Sequence, residues 1–111
     1  MPDTPRTYSR LTEEALVLLG KQIRLARKRR RMSEHDLSAR IGIARSTLQL
    51  IEKGCPSVAV GLVLEAATLT GVDLFVPEAT TLALQIDRTD DKLALMPGSI
   101  RKSSQPVHDD F

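Results

Sequence analysis

Aromatic residues are scarce in this chain of 111 residues, which has one Tyr, two Phe and no Trp. Any hydrophobic core must therefore be aliphatic, and several β-strand formers are nearly missing. With Cys55 as the single cysteine, no internal disulfide can form, and a reducing, cytoplasmic setting is expected. The uncharged run that includes Cys55–Leu64 is only about half as long as the roughly 20 residues that a membrane helix needs. These shortages predict a helical protein that is neither secreted nor membrane-spanning.

Motifs of catalysis and metal binding are also missing. Cys55, His35 and His108 are too scattered to resemble a zinc site, so Cys55 is interpreted as a small apolar residue beside a turn. The six glycines form neither a dinucleotide-binding pattern nor a phosphate-binding loop. No serine stands in the context of a nucleophile elbow. We therefore expect no enzymatic activity, no metal and no cofactor.

Charge is distributed unevenly along the chain, although the net charge is only +2. Residues 1–60 carry twelve Lys and Arg against six Asp and Glu, whereas residues 61–111 carry four against eight. Seven of the eleven residues from Lys21 to Arg31 are basic. Such a run is typical of a segment that binds a polyanion, and a solvated helix face is the alternative. Nucleic acid is the favoured partner.

The spacing of apolar residues predicts an all-α chain in which glycines follow the helices. Ser33 opens a capping-box pattern, in which a hydroxyl cap is followed three residues later by a carboxylate. The predicted helices begin after Ser9 or Thr12, after Ser33, near Ala44 and after Pro56, and the last three end at Gly42, Gly54 and Gly71. The fourth helix is expected to present an apolar stripe of Val60, Val63, Leu64, Ala67 and Thr68.

A further helix is expected near the C-terminus, with Pro77 in its first turn. Leu82, Ile86 and Leu93 would form its apolar face, and we expect an interruption at Asp87–Asp91. From Pro97 onward the chain has no periodicity and is rich in Pro, Gly, Ser and charge, which predicts disorder in the isolated protein.

Two short helices joined by a glycine-containing turn, with polar residues on the outer side of the second, are typical of a helix-turn-helix. Ser38 is small enough to let the helices approach, and Gly42 makes the turn. The second helix would project Arg45, Ser46 and Gln49 into the DNA major groove, where Arg reads guanine and Gln pairs with adenine. A helical hairpin with a solvated polar face remains the alternative.

The segment Leu37–Gly54, read together with Ile23, Arg24 and Arg27, resembles the lambda-repressor-like, or XRE, DNA-binding family. The resemblance spans about Leu18–Leu74. It implies a compact five-helix domain that binds palindromic double-stranded DNA as a homodimer, here followed by an extra C-terminal helix. At the matching positions it implies base-facing Arg45, Ser46, Gln49 and Leu50, and phosphate-facing Ser33, Thr47 and Lys53. In the basic run, Lys28 and Arg29 are assigned to contacts that do not depend on DNA sequence.

The resemblance also implies that Arg27 pairs internally with Glu52, so neither is assigned to DNA. Glu34 departs from the family pattern, which often has Gln at the start of the second helix in contact with a phosphate. A carboxylate would repel the phosphate and is expected instead to serve the helix N-terminus. DNA then docks differently here or binds more weakly, or the domain has become an interaction module without DNA binding.

Segments around this motif are similar to HipB-type antitoxins, which repress their own operon and bind a HipA-type kinase toxin. The similar segments are Gly54–Gly61, Leu64–Ala67, Gly71–Phe75, Leu93–Pro97 and the final Asp109, Asp110 and Phe111. The acidic tail, with Val107, Asp109, Asp110 and Phe111, is a candidate anchor on such a toxin. For the tail, the alternative is a terminus without a binding role. For the whole chain, the alternative is a stand-alone regulator without a toxin.

These patterns divide the chain into four parts. We expect a flexible arm at residues 1–9 and a helix-turn-helix DNA-binding domain at residues 10–76. A helical extension at residues 77–96 and a disordered tail at residues 97–111 follow.

Overall fold

The computed structural model describes residues 6–75 and 81–98. The helices in these ranges are α1 (Arg10–Arg29), α2 (Glu34–Ile41), α3 (Arg45–Lys53), α4 (Val60–Thr70) and α5 (Leu82–Ala94). No strand occurs among the described residues, and the all-α prediction is confirmed. None of the helices in these two ranges is long and apolar enough to span a membrane.

The chain divides into two compact units. The first ends at Leu74 and contains α1–α4, and the second begins at Phe75 and contains α5. Within the first unit, α1 packs on α3 and α4, and α2 packs on the same two helices. The core of the first unit thus lies among these four helices.

The core of the first unit is aliphatic, as the shortage of aromatics requires. Its fully buried large side chains come from the first three helices, and α4 adds small ones. These core residues are Ile23, Leu37, Leu48, Ile51, Val63, Ala66 and Ala67.

Glycine lets α1 and α3 approach closely. A Cβ atom on Gly20 would lie 2.6 Å from the carbonyl oxygens of Ile51 and Glu52, so no larger residue fits without a shift. At the end of α3, Gly54 has φ +82°, and a Cβ there would lie 2.7 Å from the backbone of Val17. The sequence left open whether Gly20 marks a kink or a close contact, and the structure shows the close contact.

Helix ends follow the predicted signals. Ser9, rather than Thr12, caps α1, because its side chain accepts a hydrogen bond from the Thr12 N–H at 3.4 Å. The capping box of α2 is present: Ser33 Oγ accepts from the Asp36 N–H at 3.0 Å, and Asp36 Oδ2 accepts from the Ser33 N–H at 3.1 Å. Gly42, Gly54 and Gly71 follow α2, α3 and α4 in the left-handed conformation.

The apolar stripe predicted for α4 is wrong in part. Val63 and Ala67 are buried, but Val60 is 72% exposed and Thr68 is also exposed. The buried side instead includes Ala66 and Thr70, since the small alanines let this side of the helix pack most closely.

The interruption predicted at Asp87–Asp91 is also wrong, because α5 runs unbroken from Leu82 to Ala94. Its aspartates are exposed and keep their hydration, and Thr89 Oγ1 satisfies its own hydrogen bond with the Gln85 carbonyl at 2.7 Å. Thr81 caps the helix by accepting from the Leu84 N–H at 3.2 Å. Pro77 and the candidate anchor (Val107, Asp109, Asp110 and Phe111) lie outside the described residues.

Candidate nucleic-acid interface

The helix-turn-helix is built from α2, the turn at Gly42 and α3. Leu37 on α2 and Leu48 on α3 are fully buried, and they fix the two helices against each other and against α1 and α4. Ser38 is 3% exposed and its hydroxyl donates to the His35 carbonyl at 3.1 Å. Ser38 is therefore buried on α2, and its role in letting the two helices approach stays a prediction. These contacts hold the outer side of α3 on a rigid base.

The outer side of α3 carries the residues predicted to meet bases. Arg45 and Ser46 are exposed in its first turn, and Leu50 is 43% exposed one turn later. Gln49 is half-buried because its side chain leans toward α2. Since Leu48, Ile51 and Glu52 occupy the buried side, the predicted base-facing set shares the solvent side of one helix.

The residues assigned to phosphates lie at the start of α2 and on α3. Ser33 caps α2, Thr47 is half-buried in the first turn of α3, and Lys53 is exposed in its last turn. Lys28 and Arg29 are exposed in the last turn of α1. The Ser33 hydroxyl already accepts a hydrogen bond from the Asp36 N–H, so it serves the N-terminal cap of α2.

Arg27 and Glu52 form the internal pair that the family resemblance implied. Arg27 Nε donates to Glu52 Oε2 at 2.7 Å and Nη2 donates to Oε1 at 3.0 Å, while Nη1 donates to the Met32 carbonyl at 3.0 Å. Both side chains are nearly buried, at 6% and 5% exposure. The hydrogen bonds that Arg27 donates to the Glu52 carboxylate raise the pKa of Arg27 above its ordinary value. This pair joins α1, the following loop and α3, and it takes two charges out of the interface.

Glu34 on α2 contacts α3, the second helix of the helix-turn-helix. Its Oε1 atom accepts one hydrogen bond from Arg45 Nη2 and a second from Gln49 Nε2, each at 3.1 Å. Hydrogen bonds from Gln49 and Arg45 hold the pKa of Glu34 below its ordinary value. Sequence reasoning placed Glu34 only at the helix N-terminus and missed this contact. Glu34 and Arg45 are each the first residue of a helix, and only the packing of α2 on α3 brings them together, so the sequence carried no signal for the contact.

A surface groove lies at the contact of Glu34 with Gln49, and Arg24 on α1 is one of the residues that line it. Glu34, Gln49, Glu52 and Lys53 form the rest of the lining. Arg24 belongs to the basic run of the sequence but was not singled out as a site residue. Lys28 and Arg29, which were singled out, do not line the groove.

Comparison with known proteins agrees with this geometry. The model of one protein family, described as Helix-turn-helix, matches residues 23–75. No curated protein and no solved structure matches the chain significantly. The matched segment begins within α1 and includes α2, α3 and α4. Residues 23–75 are therefore similar to a helix-turn-helix family, and the all-α fold of the described residues is consistent with a lambda-repressor-like helix-turn-helix domain.

Proposed function

We propose that the protein is a sequence-specific transcriptional repressor that binds double-stranded operator DNA as a homodimer. One observation carries the proposal: the polar outer side of α3, with Arg45, Ser46 and Gln49, stands on a buried base of α1 and α2. A helix held in this way can enter the major groove without first being ordered. Arg and Gln are the side chains best suited to guanine and adenine edges.

Charge supports the same proposal. Arg24, Lys28 and Arg29 are exposed on the α1 side, and Lys53 is exposed at the end of α3. These cations accompany α3, the helix proposed to read bases and called here the reading helix. They can neutralise phosphates, and this supplies most of the affinity that does not depend on DNA sequence. Arg27 and Glu52 are buried against each other, so neither charge is assigned to DNA.

We further propose that this repressor is the antitoxin of a HipBA-type operon, which represses its own operon and binds a kinase toxin. The similarity of Gly54–Gly61 and of the chain end to HipB-type antitoxins supports this. A stand-alone regulator of the same fold is the alternative, and a kinase-like reading frame immediately downstream would favour the antitoxin. A second alternative, an interaction module without DNA binding, is favoured only by the carboxylate of Glu34.

The DNA proposal is tested by selecting sites from a random duplex library with the full chain and measuring the mass of the complex in solution. We expect a palindromic site with half-sites about 10 base pairs apart and two chains per duplex. An unselective library would overturn sequence-specific binding, and a protein that retains no DNA at low salt would favour the interaction module.

The toxin proposal predicts a separable role for the tail. Deleting residues 104–111 should weaken binding to the neighbouring kinase-like protein and leave operator binding nearly intact, because the deleted residues lie outside the helix-turn-helix. Calorimetry of both chains against both ligands provides the measurement. Unchanged kinase affinity would remove the tail anchor, and a large loss of operator affinity would show that the tail supports the fold or the dimer.

A further inference from the structure

The carboxylate of Glu34 is shared by the two proposed base readers with the longest reach. Arg45 and Gln49 are one turn apart on α3, and both donate to the same oxygen of Glu34 on α2. The Arg45 side chain is 61% exposed and that of Glu34 is 29% exposed. The contact therefore lies at the surface proposed to meet DNA, and not in the core.

With this contact in place, both Arg45 and Gln49 can still form hydrogen bonds with base edges. A guanidinium has five N–H donors, and only one group of Arg45 is used by Glu34. Gln49 keeps its amide oxygen and one amide hydrogen. Each side chain is thus held by one of its nitrogen atoms, while the remaining polar atoms of the same group can pair with a base edge.

The same carboxylate changes the charge of the surface. Beside Glu34, Arg45 brings no net positive charge to the DNA, so it gains little from a phosphate that carries no sequence information. A correct base offers hydrogen-bond acceptors with only partial negative charge, which repel the carboxylate less than a phosphate does. Glu34 therefore penalises a phosphate-bound, unspecific mode more than a base-paired one.

An exposed ion pair by itself contributes little to stability. Two features point instead to recognition: one oxygen serves two donors, and both donors belong to the reading helix. The fold already has its own charged link between α1 and α3 in Arg27 and Glu52.

We infer that Glu34 is a specificity-determining residue, which positions Arg45 and Gln49 for base contacts and opposes binding to unspecific DNA. The inference rests on the proposed DNA binding. Replacing the carboxylate by an amide, in E34Q, keeps the shape and removes the charge. It should strengthen binding to random duplex and lower the ratio of operator to random affinity about tenfold, within the range that one bidentate base contact supplies.

The test measures Kd for the selected operator and for a random duplex over a series of salt concentrations. Wild type is compared with E34Q and with E65Q, which removes the same charge from an exposed position on α4. We expect the salt dependence on random DNA to steepen by about one phosphate contact in E34Q, because Arg45 is released to a phosphate. E65Q should leave the operator-to-random ratio unchanged.

A double-mutant cycle with R45A separates positioning from general repulsion. If Glu34 acts through Arg45, E34Q should change the ratio much less in the R45A background than in wild type. Equal effects in both backgrounds, or equal effects of E34Q and E65Q, would overturn the inference while DNA binding stands. Failure of the wild-type chain to bind any duplex would overturn the proposed function as well, so the two failures are distinguishable.

Side-chain amide NMR of the free protein gives a second readout that needs no DNA. The Gln49 amide resonances should shift in E34A and less in E34Q, whose oxygen can still accept, and should stay in place in E65Q. Gln49 amide resonances that are unmoved in E34A would overturn the positioning role.

Discussion

At the scale of single residues, two arginines of this domain, Arg27 and Arg45, have different roles. Arg27 is buried against Glu52 and forms three hydrogen bonds, whereas Arg45 is largely exposed at the start of α3. Burial makes the first arginine a part of the fold, and exposure on the reading helix leaves the second for a ligand. The carboxylate partners, Glu52 and Glu34, differ in the same way.

The buried pair gives the first prediction. Replacing Glu52 by Ala leaves the Arg27 guanidinium buried without its main partner, which costs about 3–5 kcal/mol of unfolding free energy. For a domain of this size the melting temperature should fall by at least about 10 °C. Thermal denaturation of E52A checks this, with E65A on the exposed side of α4 as the control. A melting curve like that of the control would contradict a structural role for the pair.

At the scale of helices, the ends of α2 are determined by local chemistry. Ser33 and Asp36 satisfy each other's N–H groups at its N-terminus, and Gly42 ends it at φ +85°. The N–H and hydroxyl of Ser33 hold the pKa of Asp36 below its ordinary value of 3.8. Because the folded pKa is lowered, the ionised cap stabilises the fold at pH values above the ordinary pKa. This contribution is lost as the pH falls through the folded pKa.

The second prediction concerns this pH dependence. D36N, which removes the charge and keeps the shape, should be less stable than wild type at neutral pH. The difference should shrink as pH falls below 3.8, since the wild-type carboxyl then becomes neutral as well. Melting curves over an acid pH series provide the measurement, and D73N, at an exposed position in the loop after α4, is the control. A gap between D36N and wild type that stays constant across the series would contradict the role of the charge.

Local signals explain how much of the fold could be predicted from the sequence. Glycine at 42, 54 and 71 marked helix ends because each takes a positive φ that other residues rarely adopt. The buried face of α4 could not be read in the same way, because alanine and threonine give a weak contrast between inside and outside. The continuity of α5 was missed because exposed aspartates lower helix propensity only slightly.

The candidate site was predictable only where a pattern runs along one helix. Arg45, Ser46, Gln49 and Leu50 share the outer side of α3, as their spacing indicates. The contact between Glu34 and Arg45 depends on two helices whose first residues meet in space, and no spacing along the chain reports that. Arg24 was overlooked for the same reason, since its place in the groove depends on how α1 packs on α3.

At the scale of the whole molecule, the uneven charge of the sequence becomes an uneven surface. Most of the exposed cations among the first sixty residues lie on α1 and on α3, the proposed reading helix. In α5, three aspartates accompany Arg88 and Lys92, and all five are exposed. The proposed DNA contacts thus belong to α1–α3, and α5 offers a control surface of mixed charge.

The third prediction uses this contrast. K28A/R29A should weaken binding to all duplexes alike and flatten the salt dependence by up to about two phosphate contacts, because the two side chains are assigned to the backbone. Titrations of operator and random DNA over a salt series provide the measurement. R88A/K92A removes the same charge from α5 and should have a smaller effect. A loss confined to the operator would contradict the assignment of Lys28 and Arg29.

The central claim is that α3 reads base sequence, and R45A tests it most directly. Arg45 is proposed to pair with a base edge, so its truncation should cost about 1–3 kcal/mol on the selected operator and relax the base preference at one position per half-site. Binding to random duplex should change far less. The measurement is the affinity of wild type and R45A for the operator, its single-base variants and random DNA at one salt concentration. Equal losses on operator and random DNA, with base preferences unchanged, would contradict the claim.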